Sequence, residues 1–121
     1  MIKPMIAVSL VAHVLWSLPA RCEPADYFSA NSFMPGCRSI IEKGPGRFAV
    51  TNAQTAFDSG RCVGFVTGIA AIDPGSCAPT VTLDQLLRVV VKYIDERPQL
   101  MHERFADLVQ QALATAWPCK R

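Results

Sequence analysis

The chain has 121 residues, half of them apolar, with 12 basic and 10 acidic side chains. That length holds one domain and is short for two. No basic run or stripe marks a nucleic-acid surface, and the Lys120-Arg121 pair at the end reads as a solvated tail.

Lys3 precedes an apolar stretch over residues 5–18, mildly interrupted by Ser9 and His13, and Pro19-Ala20 break it. A membrane-spanning helix needs about 20 apolar residues, so no stable span is expected. One positive charge, a short apolar core and a small or helix-breaking end read together as a secretory signal peptide. The expected boundaries are 1–22 for the signal and 23–121 for the mature domain. Cleavage after Ala20 or after Cys22 fits the pattern, while Arg21 argues against a lipoprotein signal. Loss of Lys3 and Arg21 leaves 10 basic residues against 10 acidic ones, a formally neutral product.

The five cysteines are Cys22, Cys37, Cys62, Cys77 and Cys119. None forms a C-x-x-C pair, so zinc-ribbon and thioredoxin readings have no footing. Removal of Cys22 leaves four in an oxidising compartment, which suits two disulfides, whereas cleavage after Ala20 retains Cys22 and leaves one thiol over.

Residues 26–34 are expected to form a short first helix broken by Pro35-Gly36, with a further helical turn at 38–43. Gly44-Pro45-Gly46 is a loop signal. A second helix is expected over 52–72, with Thr51 and Gln54 as a capping box, Phe57, Val66 and Ile69 on its apolar side, and Asp73-Pro74-Gly75 as its stop. Gly60, Gly64 and Gly68 share one face of that helix. Each glycine costs about 1 kcal/mol relative to alanine, which makes sense where another helix backbone packs closely. Asp58 and Arg61 in the same stretch argue against a membrane role for this spacing.

The third helix has the best local signal. Thr82 is its N-cap, Gln85 completes a capping box, and Val81 is placed to staple against Leu86. Leu83, Leu86, Leu87, Val90 and Ile94 follow at helical spacing, and Arg97-Pro98 stops the helix. Pro98 suits the first position of a fourth helix, whose stripe is Met101, Phe105, Leu108, Ala112 and Ala116, with Leu113 beside it. Helices meeting at almost no loop fold back as an antiparallel hairpin. Cys77 then lies just before the third helix and Cys119 just after the fourth, at the hairpin's open end. Of the three pairings that four cysteines permit, this geometry selects Cys77–Cys119 and leaves Cys37–Cys62. The expected fold is all-α, a compact bundle of about four helices stapled by two disulfides.

No catalytic group is expected. His102 is the one histidine of the mature chain, and His-Glu-Arg-Phe-Ala lacks the second histidine of a zinc protease motif. Cysteines that are all bonded offer no thiolate nucleophile. Asp95 and Glu96 are adjacent and point in different directions on a helix. No cofactor or metal site is expected.

The stretch Gly60-Arg61-Cys62-Val63-Gly64-Phe65-Val66-Thr67-Gly68 resembles the G-x-C-x-G-[YF]-x-x-G helix of the Rap/Tai family of type VI secretion amidase immunity proteins. The likeness continues through Cys77-Ala78-Pro79-Thr80-Val81-Thr82, then Gln85-Leu86, then Val89-Val90-Val91-Lys92-Tyr93-Ile94. It ends in Ala112-Leu113, then Ala116-Trp117-Pro118-Cys119, with Phe33 and Cys37 as looser matches. The resemblance implies a helical periplasmic protein, often a homodimer, that binds a secreted peptidoglycan amidase and occludes its cysteine–histidine active site without chemistry of its own. The loop around Gly44 to Phe48 is the candidate contact, with Arg47 and Phe48 as the residues to insert into such a cleft; the other reading of Phe48 is a loop phenylalanine that covers the core. The alternative is a periplasmic envelope-stress or holdase-like protein with broad hydrophobic clients.

Overall fold

The computed structural model describes residues 26–43 and 52–120. Four α-helices make up the fold: α1 (Ala30–Lys43), α2 (Ala53–Ile72), α3 (Leu83–Asp95) and α4 (Phe105–Ala116), with a single 3-10 turn at Pro98–Leu100. Among the described residues there is no strand, only two isolated bridges, Ser29 with Arg104 and Ser76 with Pro118. The all-α, doubly stapled architecture expected from sequence is what the structure shows.

The first helix departs from expectation at both ends. Residues 26–29 form a turn rather than helix, and α1 begins at Ala30. Its first free amides are satisfied from outside: Ala30 N donates to the Glu103 carbonyl at 3.0 Å and Asn31 N to that of Met101 at 2.9 Å. The residues ahead of α4 therefore act as the cap that local sequence lacks. Pro35 does not break the helix, which runs on to Lys43. An interior proline costs about 3 kcal/mol. The burial of Phe33, Met34 and Cys37 on the inner face of the same helix, with Pro35 itself exposed, outweighs that cost.

α1 packs most closely on α2, and the crossing point is Gly36. A Cβ there would overlap the main-chain carbonyl of Asp58. Beside it Cys37 and Cys62 are bonded, with Cα atoms 5.3 Å apart, and the Ser39 and Ser59 hydroxyls lie 2.9 Å apart. The close approach is thus made by a glycine of α1. The expectation that Gly60, Gly64 and Gly68 pack against a helix backbone is overturned: all three are exposed, and a Cβ on any of them would meet nothing within 4 Å. α2 is apolar on most of its circumference, and the disulfide at Cys62 turns the Cys62–Val66 side inward. Phe57, expected on the inner side, is consequently exposed.

The N-cap of α2 is Asn52, whose Oδ1 accepts from Thr55 N at 2.9 Å. Gln54 Nε2 donates to the Asp58 carboxylate at 3.0 Å; Thr51, the other member of the expected capping box, lies outside the described residues. At α3 the box forms as expected: Gln85 N donates to Thr82 Oγ1 at 3.2 Å and Thr82 N to Gln85 Oε1 at 3.0 Å. Leu86, Leu87, Val90, Val91 and Ile94 line its buried face, while Leu83 is 38% exposed.

Residues 96–104 separate α3 from α4, so the hairpin loop is longer than expected, and Pro98 opens the 3-10 turn rather than α4. Proline's fixed φ suits that turn; His102 and Glu103 continue as turn and bend, and Arg104, the extended N-cap residue, bridges Ser29 before α4 begins at Phe105. Val109 joins Phe105, Leu108, Ala112 and Leu113 in the core, and Ala116 faces solvent. The open end still closes as anticipated. Cys77 and Cys119 are bonded with Cα atoms 4.8 Å apart, and Cys77 N donates to the Trp117 carbonyl at 2.9 Å. The two bridges close loops of 25 and 42 residues, and chain entropy assigns them roughly 3.5 and 4 kcal/mol. Phe33 stacks on Phe105 at 4.5 Å between ring centroids and joins α1 to α4 in the middle of the core.

The two kinds of glycine give opposite expectations. Gly36→Ala should lower stability by about 2 kcal/mol or more, because the helices must part. Gly64→Ala should raise it by about 0.5–1 kcal/mol, because the site is open helix. Urea unfolding of the oxidised variants reads both; equal effects of one sign would contradict the packing described.

Candidate protein-binding surface

The residues ahead of α1 bring Tyr27 and Phe28 over the N-terminal half of α2. Phe105 N donates to the Phe28 carbonyl at 2.8 Å, which ties this short strap to the start of α4, and Ser29 Oγ donates to the Asp26 carbonyl at 3.0 Å, which closes the strap into a turn. On α2, Phe57, Arg61 and Phe65 stand four residues apart and share the face below it.

Arg61 joins the two layers. Its guanidinium lies 4.4 Å from the Tyr27 ring centroid, 4.2 Å from that of Phe33 and 5.6 Å from that of Phe57. Nη2 donates to the Tyr27 carbonyl at 2.9 Å and to Ser32 Oγ at 3.1 Å, and Nη1 lies 3.9 Å from the Asp58 carboxylate. The Arg61 side chain is only 14% exposed. It organises the rings around it more than it presents charge to solvent.

Above this arginine the rings are open. Tyr27 is 49%, Phe28 56% and Phe57 54% exposed. Tyr27 and Phe28 meet edge to face at 4.9 Å, and Phe28 leans toward Phe65 at 6.3 Å. Beside Phe28 a cleft of about 610 Å³ has Phe28, Phe65 and Ala106 as its apolar walls and Asp26, His102 and Arg104 at its polar margin. Exposed aromatic rings around a partly buried arginine, next to a shallow cleft with charged margins, have the composition of protein-binding hot spots.

The same cleft holds no nucleophile–base pair. Ser29 spends its hydroxyl on a main-chain carbonyl, and His102 Nε2 faces Glu103 Oε1 at 3.3 Å rather than a serine. His102 is exposed, as expected, although it sits in the turn before α4 and not on a helix. Asp95 pairs with Arg38 at 2.6 Å while Glu96 lies 3.8 Å from Lys92 and from Arg97. Among the described residues no three His, Cys, Asp or Glu side chains are grouped to hold a metal ion. No described helix is long and apolar enough to cross a membrane. Arg88 is held above its ordinary pKa by the hydrogen bond it donates to Asp84, and then by that carboxylate's charge, which leaves its cationic state unchanged.

Of the residues singled out from sequence, Cys37, Cys62, Cys77, Cys119, Thr82 and Gln85 occupy the structural places expected of them. Pro118 forms the bridge to Ser76. Gly60, Gly64 and Gly68 form an exposed strip instead of a packing face. Arg47 and Phe48 lie outside the described residues. Sequence reasoning misses Tyr27, Phe28, Arg61 and Phe65 as surface-forming residues. The i, i+4, i+8 spacing of Phe57, Arg61 and Phe65 is a signal for the lower layer, but nothing local announces that Tyr27 folds over it.

Arg61→Ala removes two hydrogen bonds and three ring contacts, so stability should fall by about 1–2 kcal/mol, with Arg61→Lys recovering only part of the loss. Phe57→Ala, at an exposed ring, should stay within about 0.5 kcal/mol of the parent. Calorimetric melting of the three variants checks the ordering.

A family model described as Rap1a immunity proteins matches residues 29–119 of the chain. No curated protein and no solved structure shows a significant match. The matched span takes in all four helices and both disulfides, and on that extent the chain belongs to the Rap1a immunity protein family.

Proposed function

We propose that this chain is an exported immunity protein that binds and inhibits a peptidoglycan amidase delivered by a type VI secretion system. The observation that carries the reading is the family match over residues 29–119. Two features support it. The four described cysteines are bonded to each other, which suits an oxidising periplasm. The exposed Tyr27–Phe28–Phe57 surface over Arg61 supplies aromatic anchors already rigid before a partner arrives, so little ordering entropy is lost on binding.

In this reading residues 1–22 are removed on export and the protein acts as a plug. Arg47 and Phe48 enter the amidase cleft, and the aromatic surface of α2 and the strap holds the enzyme against the inhibitor. The cysteine–histidine centre of the amidase is occluded without any reaction on the inhibitor. A homodimer belongs to the same reading and is measured by sedimentation. Exposed rings also favour a second reading, a holdase with hydrophobic clients, which would bind many unfolded chains weakly and no enzyme tightly.

Expression of the chain with its signal should protect cells against a periplasmically directed amidase, and the purified mature protein should inhibit that enzyme at near-stoichiometric amounts. Arg47→Glu and Phe48→Ala should each weaken inhibition at least about tenfold while melting like the parent, as loss of about 1.4 kcal/mol or more of binding requires. Phe28→Ala combined with Phe57→Ala should act likewise. Full protection by all of these variants would remove both contact regions from the proposal. Suppression of aggregation of unrelated clients, with no amidase inhibited, would favour the holdase.

A further inference from the structure

The two disulfides sit in opposite surroundings. Cys37 and Cys62 are both 0% exposed, under the point where Gly36 lies against the Asp58 backbone. A reductant can reach that bond only after α1 and α2 separate. Cys77, by contrast, is exposed and belongs to a run of exposed, non-helical residues at 77–80, and Cys119 is half-buried beyond the end of α4. No helix has to move for a thiolate to approach Cys77.

We propose that Cys77–Cys119 is a thiol–disulfide exchange site, opened in the folded protein by a dithiol reductant while Cys37–Cys62 stays closed. Attack falls on the more accessible sulfur. A thiolate of the dithiol forms a mixed disulfide with Cys77 Sγ, and the Cys119 thiolate leaves and takes up a proton. The second thiol of the reductant, as thiolate, then attacks the reductant's own sulfur in the mixed disulfide and releases Cys77 as a thiol. Two electrons pass from the dithiol, which becomes a cyclic or intramolecular disulfide, to the protein, which ends with two thiols. The inference is independent of which effector is bound.

The surrounding geometry makes the step reversible. Cys77 N donates to the Trp117 carbonyl at 2.9 Å and Ser76 bridges Pro118, contacts that do not involve the sulfurs and so favour juxtaposed thiols once the bond is open. Re-oxidation therefore needs no search through chain conformations. The bridge is a lock on the open end of the α3–α4 pair. Opening it removes the covalent tie between the segment leading into α3 and the residues after α4, while Phe33 on Phe105 and the Cys37–Cys62 bond keep the helices assembled.

The test treats the oxidised mature protein with a series of dithiothreitol concentrations without denaturant, quenches with N-ethylmaleimide and maps the labelled peptides. Cys77 and Cys119 should be labelled at least about tenfold faster than Cys37 and Cys62, at a rate rising linearly with reductant. Removal of the reductant and addition of oxidised glutathione should restore the bond. Labelling of all four cysteines together, or a rate that levels off at the unfolding rate, would overturn the proposal. The Cys77→Ser/Cys119→Ser variant gives a second measurement: its Cys37–Cys62 bond should resist the same treatment, and rapid labelling there would equally overturn the proposal.

Discussion

The contact on which the rest of the molecule depends is the junction of α1 with α2. Within about one helical turn, Gly36 lets the two backbones touch, Cys37 bonds Cys62, and the Ser39 and Ser59 hydroxyls pair. A glycine, a disulfide and a hydrogen bond at one crossing leave the two helices almost no freedom to roll or slide. A domain of this size buries only part of its unfolded surface, so a covalent tie adds usefully to what packing supplies. The covalent tie is placed where it also sets which side of α2 faces inward.

That rotation decides the exterior. With Cys62 and Val66 inside, Phe57 and the three glycines must lie outside, and Arg61 comes up beside the strap of residues 26–29. The strap is held from the other direction by hydrogen bonds to the residues ahead of α4. Ser29 bridges Arg104, and the Ala30 and Asn31 amides rest on carbonyls of Glu103 and Met101. The candidate surface thus combines three parts of the chain remote in sequence, and its rigidity comes from the core on which it rests. A protein whose proposed task is to block an enzyme by shape gains from such rigidity, since little freedom is left to lose on association.

The two disulfides divide two tasks between them. One is sealed in the core and sets the relation of α1 to α2. The other closes the periphery, where Cys77 and Cys119 join the segments flanking the α3–α4 pair. Removing solvent access from one and leaving it to the other makes one bond a permanent part of the fold and the other a part that chemistry in the surroundings can address.

Local chemistry is legible in the amino-acid sequence alone. The Thr82–Gln85 box, the Leu86, Leu87, Val90 and Ile94 stripe and the Asp73-Pro74-Gly75 stop depend on neighbours a few residues away, and all three are present in the fold. The disulfide pairing is legible too, because an antiparallel pair brings its two ends together even when the loop between its helices is longer than supposed. Three features are decided only by the tertiary structure. Pro35 stays helical because burial on the inner face of α1 outweighs a local penalty, and α1 starts at Ala30 because its caps come from residues 101 and 103. The face of α2 that turns inward does not follow from its composition, since apolar residues lie on most sides and only the partner helix selects among them. Periodicity and caps report short-range preferences; which surfaces meet is settled by the shape of elements distant in the chain.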